Sequence, residues 1–153
     1  KMMQEQNDKS AREVTIERTF DAPRKLVWEA WTQPGHIAKW WGPKGMATEV
    51  VEHDLQPGGR WKYVMAMPNG HDFVAEGKYL EIVEFEKLVT EADFKPMTEG
   101  VILTVLLTDA GEKTNFSFTV THATAEYCEQ QKKMGFEKGW GSTFDRLAEL
   151  LAE

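Results

Sequence analysis

The run ATAEYCEQQKKMGFEKGWGSTFDRLAELLA, Ala123 to Ala152, contains no proline. At about 1.5 Å of rise per residue it would make a helix about 45 Å long. No other segment has that reach, so the remainder of the chain is expected to wrap around it. The carboxy-terminal half, Gly141 to Leu151, sets Phe144, Leu147, Leu150 and Leu151 at helical spacing with Asp145, Arg146 and Glu149 between them. The middle is unusual: Met134, Phe136 and Trp140 are interleaved with Gly135, Gly139 and Gly141. Each glycine costs a helix about 1 kcal/mol relative to alanine. Three readings fit these glycines: close packing of a strand or ring on bare backbone, a shallow face that leaves room for a ligand, or a kink at Gly139 to Gly141. One long helix starting near Thr124 is the expectation.

The chain has 153 residues, enough for one domain with one core. Six tryptophans and eight phenylalanines are numerous enough to line a cavity as well as fill a core. With 25 acidic against 18 basic residues the net charge is −7, which argues against nucleic acid or an anionic membrane as partner. Lys132, Lys133 and Lys138 read as a solvated helix face. The single cysteine, Cys128, allows no internal disulfide, and no run has the length of a membrane span or a signal peptide. A cytoplasmic location is the default expectation. Residues 1–10 are polar and aperiodic and are expected to be disordered, leaving residues 11–153 as a single domain.

Arg12 to Phe20 alternates, with Val14, Ile16 and Arg18 on one side, which predicts a half-buried strand. Asp21 reads as a helix N-cap with Pro23 in the first turn, and Leu26, Val27, Ala30 and Trp31 follow at helical spacing. Gln33, Pro34 and Gly35 should stop that helix, and Ile37 to Trp41 a second short one, ended by Gly42 and Pro43. Pro57-Gly58-Gly59, Pro68-Asn69-Gly70 and Asp109-Ala110-Gly111 then punctuate an antiparallel meander of six strands. The predicted strands are Ala47 to Leu55, Gly59 to Met67, His71 to Val83, Lys87 to Phe94, Val101 to Thr108 and Lys113 to His122. The first strand should join at an edge. Alternation groups Trp61, Tyr63, Met65 and Met67 on one face, and Phe116, Phe118 and Val120 on another. A curved sheet with so bulky an apolar face needs a cover, which the terminal helix supplies.

This order is similar to the helix-grip fold of the START domains and the birch pollen allergen: an α+β fold, with a curved antiparallel sheet of about seven strands around a long C-terminal helix and two short helices after the first strand. Phe20-Asp21-Ala22-Pro23, Val27-Trp28, Trp31-Thr32 and Trp40-Trp41-Gly42-Pro43 resemble the opening of its AHSA-type branch, homologues of the heat-shock chaperone ATPase activator. Asp54-Leu55, Pro57 to Trp61, Gly77 to Ile82, Gly139-Trp140 and Phe144 to Leu147 extend the resemblance, which spans Val14 to Leu151. It implies one of several roles: binding of an aromatic or polyketide-like molecule, an activity not assigned, or action as a co-chaperone with a chaperone partner. The full-length co-chaperones carry a further N-terminal domain, which this chain is expected to lack.

Catalytic motifs are absent from the sequence: there is no HExxH, CxxC, Walker loop, GxGxxG or GxSxG. His53-Asp54 and His71-Asp72 are adjacent pairs on strands and point to opposite faces, so no metal site and no cofactor are expected. Glu76, Glu81, His53 and His122 are the candidates for acid-base chemistry, each more simply a solvated or capping residue. Cys128 lacks an evident base and reads as an inert thiol. The positive signal is aromatic. Trp31, Trp40, Trp61, Tyr63, Met65, Phe73, Phe116, Phe118, Met134 and Trp140 are expected to converge between sheet and helix and to contact a small apolar ligand, with Tyr63 orienting it and the methionines adapting the wall. The leading expectation is therefore a non-enzymatic binding or sequestering protein for a small hydrophobic molecule. A cyclase or dehydratase using the same cavity is the enzymatic alternative, and a chaperone-activating module the third.

Overall fold

The computed structural model describes residues 9–42, 46–66, 70–95 and 98–153. A 3-10 turn at Lys9–Arg12 leads into strand β1 (Glu13–Phe20), followed by helices α1 (Arg24–Thr32) and α2 (Pro34–Trp40). Next come β2 (Ala47–His53), β3 (Arg60–Ala66), β4 (Asp72–Val83), β5 (Lys87–Lys95), β6 (Thr98–Ala110) and β7 (Lys113–Thr121). Helices α3 (Ala125–Lys133) and α4 (Phe136–Leu151) close the chain. The strands form one antiparallel sheet in the order β1-β7-β6-β5-β4-β3-β2, a meander with β1 added at the edge beside β7. This is the helix-grip arrangement that the order of elements predicts. Of the segment expected to be disordered, residues 1–8 lie outside the described residues, as do Pro43, Met67, Pro68 and Asn69.

Alternation sets the inner face. Trp61, Tyr63 and Met65 of β3, Leu103, Val105 and Leu107 of β6, and Phe116, Phe118 and Val120 of β7 are all buried. Register shifts at Val50/Glu52, Tyr79/Glu81 and Ala92/Phe94 bend the strands around that face. Gly77 pairs with Trp61 on one side and Ala92 on the other. A Cβ there would collide with the Glu91 carbonyl and come within 2.9 Å of Trp61 Cζ2, so only a bare backbone lets these strands close. Trp31 of α1 descends into the middle, with ring centroids 4.7 Å from Trp40 and 5.7 Å from Phe116. Phe144 of α4 meets Phe116 and Phe118, each at 5.0 Å. These rings exclude water from the centre of the molecule, and their burial is the main stabilising contribution.

Three local expectations are corrected. Asp21 is not the N-cap of α1: Pro23 occupies that position, and its carbonyl accepts from Leu26 N at 3.0 Å. A helix capped at Asp21 would need Ala22 in helical conformation, which the following proline disfavours. Pro34 opens α2 rather than merely ending α1, because its missing N–H is one that a first turn leaves unbonded anyway. The terminal helix is two helices, and the break falls at Gly135 rather than at Gly139 to Gly141. Gly135 has φ +90°, a left-handed conformation that ends α3, while Gly139 donates back to its carbonyl at 3.0 Å to start α4. Thr124 caps α3, its hydroxyl accepting from Tyr127 N at 3.0 Å.

Two arginines fasten α4. Arg18 of β1 donates to Asp145 Oδ1 at 2.7 Å and to the Gly141 carbonyl at 3.2 Å. Arg146 donates to the carbonyls of Lys39, Trp41, Gly42 and Met46, at 2.9 to 3.2 Å, and so satisfies the carboxy-terminal end of α2.

Candidate functional site

The interior is filled at one end and open at the other. A cavity of about 340 Å³ lies between the sheet and the α3–α4 junction, at the lower end of the range usual for small-molecule sites. The sheet contributes Met65 of β3, Phe73 of β4, Phe94 of β5, Val101 of β6 and Val120 of β7. Met134 at the α3–α4 junction and Phe136, Gly139 and Trp140 of α4 complete it, and Met46 and Gly42 border it on the side of β2. Met134, 61% exposed, marks where this space meets solvent. A Cβ on Gly139 would find no atom within 4 Å. The helix glycine is exposed where it borders the cavity, and close packing does not account for it. At Gly141 the space is tighter, with Arg18 Nη2 3.4 Å from the Cβ position.

Four of the ten residues singled out from the sequence line this cavity: Met65, Phe73, Met134 and Trp140. Trp140 is its floor, in ring contact with Phe118 at 4.6 Å and Phe94 at 5.5 Å. The other six lie in the filled end. Trp31, Trp40, Phe116 and Phe118 form the central cluster, where Trp40 Nε1 donates to the Ala30 carbonyl at 2.8 Å. Trp31 Nε1 is buried without a hydrogen-bond partner. Trp61 donates to Thr90 Oγ1 at 2.7 Å. Tyr63, read from sequence as the group that orients a ligand, instead turns its hydroxyl toward His53 Nδ1, 3.5 Å away, and toward Tyr79. Burial raises its pKa well above 10.0, and burial likewise pushes Tyr79 up to about 12, so both phenols stay neutral.

The polar groups on the cavity wall are His122, Gln131 and Thr143. Thr143 donates to the Gly139 carbonyl at 3.3 Å. His122 is 1% exposed, not solvated, and stacks on Tyr127. Its backbone N–H and its Nδ1 both address the Arg12 carbonyl, at 2.8 and 3.3 Å. Burial lowers its pKa below 6.5; the Arg12 bond opposes this and the Lys132 charge adds to it. The ring is thus a neutral imidazole with Nδ1–H donating, and Nε2 has no hydrogen-bond partner among the described residues. The sequence carried a signal for this placement, since His122 continues the Phe116, Phe118, Val120 alternation by one step.

Glu76 pairs with Lys95 at 3.3 Å and Glu81 with Lys87 at 3.1 Å, both away from the cavity. His53 Nε2 donates to the Thr32 carbonyl at 2.7 Å. Burial pushes the Cys128 thiol up, away from the reactive thiolate. Among the described residues no three His, Cys, Asp or Glu side chains gather as a metal site, and no helix is long and apolar enough to cross a membrane.

A curved antiparallel sheet gripping a terminal helix pair, with one apolar cavity between them, defines a helix-grip domain of the START-like kind. The chain belongs to the family of Activator of Hsp90 ATPase homolog 1-like proteins, whose model matches residues 21–152. It is similar to protein Ms6760 of Mycobacterium smegmatis, with 27% identity, TM-score 0.83, and coverage of 95% of this chain and 94% of that one. Protein NE0264 of Nitrosomonas europaea is 28% identical at TM-score 0.81, over 95% of this chain and 97% of that one. The AHSA1-like protein of Aeromonas hydrophila shares the fold, at 22% identity and TM-score 0.73 over 92% of each chain. No curated protein matches the chain.

Proposed function

We propose that the protein binds or sequesters a small hydrophobic, aromatic or polyketide-like molecule in the cavity beneath the α3–α4 junction, in the cytoplasm. The observation that carries this reading is the open space over Gly139. A helix accepts a costly glycine there, and no protein atom occupies the room it leaves. Met65, Met134 and Met46 give the wall side chains that adjust to a guest's shape. Screening a library of apolar aromatics by thermal shift and by 1H-15N NMR tests it. Compounds that bind should raise the melting temperature and move the amides of Gly139, Trp140 and Val120. A library that leaves all of these unchanged rejects the reading.

An enzyme of cyclase or dehydratase type gains support from one observation, a buried neutral histidine on the cavity wall. It predicts that binders are converted, with loss of product formation in His122→Phe. Activation of a heat-shock chaperone, which the family's name suggests, is tested by ATPase assay and pull-down with Hsp90.

A further inference from the structure

We infer that His122 Nε2 is a hydrogen-bond acceptor for the ligand, and that the cavity therefore selects a neutral apolar molecule bearing one hydroxyl donor, a phenol or an alcohol. This rests on the binding reading above and narrows it to a ligand class.

The Arg12 carbonyl lies against the imidazole at Nδ1. It can only accept, so the ring nitrogen that faces it must carry the proton. The same carbonyl accepts the His122 backbone N–H, and Arg12 Nη1 in turn donates to the His122 carbonyl at 2.9 Å, so the ring is held from both sides. With the proton fixed on Nδ1, the lone pair on Nε2 is committed as an acceptor. Among the described residues the fully buried unpaired side-chain atom is Trp31 Nε1, not His122 Nε2, so Nε2 keeps access to the cavity that His122 lines, and a guest that donates to it gains a hydrogen bond. The surrounding wall sharpens the selection. Phe136 approaches the ring edge-on at 6.0 Å and Val120 precedes it on β7, so an unpaired charge on the guest would be poorly solvated. Of the remaining polar neighbours, Gln131 can serve as donor or acceptor, while Thr143, whose proton goes to the Gly139 carbonyl, can accept from the guest.

The test compares 2-naphthol, 2-methoxynaphthalene and naphthalene, which share one apolar body, by NMR titration of the native protein labelled with 15N-histidine. Binding of 2-naphthol about three- to tenfold tighter than the other two is expected, the return usual for one hydrogen bond. The His122 Nε2 resonance should move while Nδ1 stays in place, and His122→Phe should abolish the preference. Equal affinities for all three compounds, with the cavity amides moving, would overturn the role of His122 and leave the binding reading intact. A preference for the naphthol with an unmoved Nε2 would also overturn it, and would shift the donor contact to Thr143 or Gln131. No shift at any cavity amide would remove both. Should His122→Phe fail to fold, the Nε2 resonance of the native protein decides alone.

Discussion

Trp140 and Phe118 meet with ring centroids 4.6 Å apart, and their contact divides the interior into a filled part and an open one. On one side lie Trp31, Phe116 and Phe144, packed ring on ring. On the other, about 340 Å³ is left between Met65, Phe73 and Met134. On the proposed reading, stability and binding would thus depend on different residues of the same inner face.

Gly139→Ala should separate the two. The new methyl meets no atom within 4 Å, so the helix gains its propensity without a clash. Thermal and urea denaturation should show stabilisation of about 1 kcal/mol. Titration with a cavity ligand should show weaker binding, because Gly139 borders the cavity and a methyl there would narrow it.

Gly77→Ala should have the opposite character. Its Cβ would strike the Glu91 carbonyl and press on Trp61, neither of which is the free end of a flexible chain. A loss of about 1–3 kcal/mol is expected in urea denaturation, toward the upper end of that range because backbone must move. A smaller effect would show that β4 and β5 can slide apart.

Arg146→Ala should loosen the end of α2. Four carbonyls, from Lys39, Trp41, Gly42 and Met46, lose one charged donor. The loss should be about 2–3 kcal/mol, with faster amide exchange in residues 39–42. Arg146→Lys should restore little of it, because one ammonium cannot reproduce the fork of the guanidinium. Full rescue by lysine would show that charge alone suffices.

His122 predicts a pH dependence. Its folded pKa is lowered below the ordinary 6.5 by burial, so in the window between the two values the unfolded chain binds a proton that the folded one does not. The stability is fully present above 6.5 and is lost as the pH falls through that window toward the folded value. Melting temperatures measured across it should fall with decreasing pH in the native protein and fall less in His122→Gln. Parallel curves for the two proteins would contradict the assignment.

Much of this architecture is written in local pattern. Alternation in β3 and β7 marks Trp61, Tyr63, Phe116 and Phe118 as inward, and the turns at Pro57-Gly58-Gly59 and Asp109-Ala110-Gly111 order the strands as neighbours. Facing inward, however, says nothing about how far along the sheet a side chain sits. Trp31 reaches Phe116 and Phe118 from a helix more than 80 positions away in the chain, and that long-range contact decides which end is filled. Trp61 and Tyr63 share the inner face with Met65, yet only Met65 borders the open end. His122 was legible as a candidate but read as solvated or capping, because a strand's last residue looks like a boundary, whereas the alternation continues through it and buries the ring. Gly135 was legible as a helix breaker by type, but its neighbours Gly139 and Gly141 carry the same type. Only its φ of +90° distinguishes it.

The split at Gly135 has a consequence for how a guest could get in and out. Cys128 is the buried residue of α3, whereas α4 holds Thr143, Phe144 and Leu147 in the interior and is tied down by Arg18 and Arg146. Displacing the shorter helix would therefore expose little of the hydrophobic centre, so that, on the proposed reading, a guest would pass without unfolding of the domain.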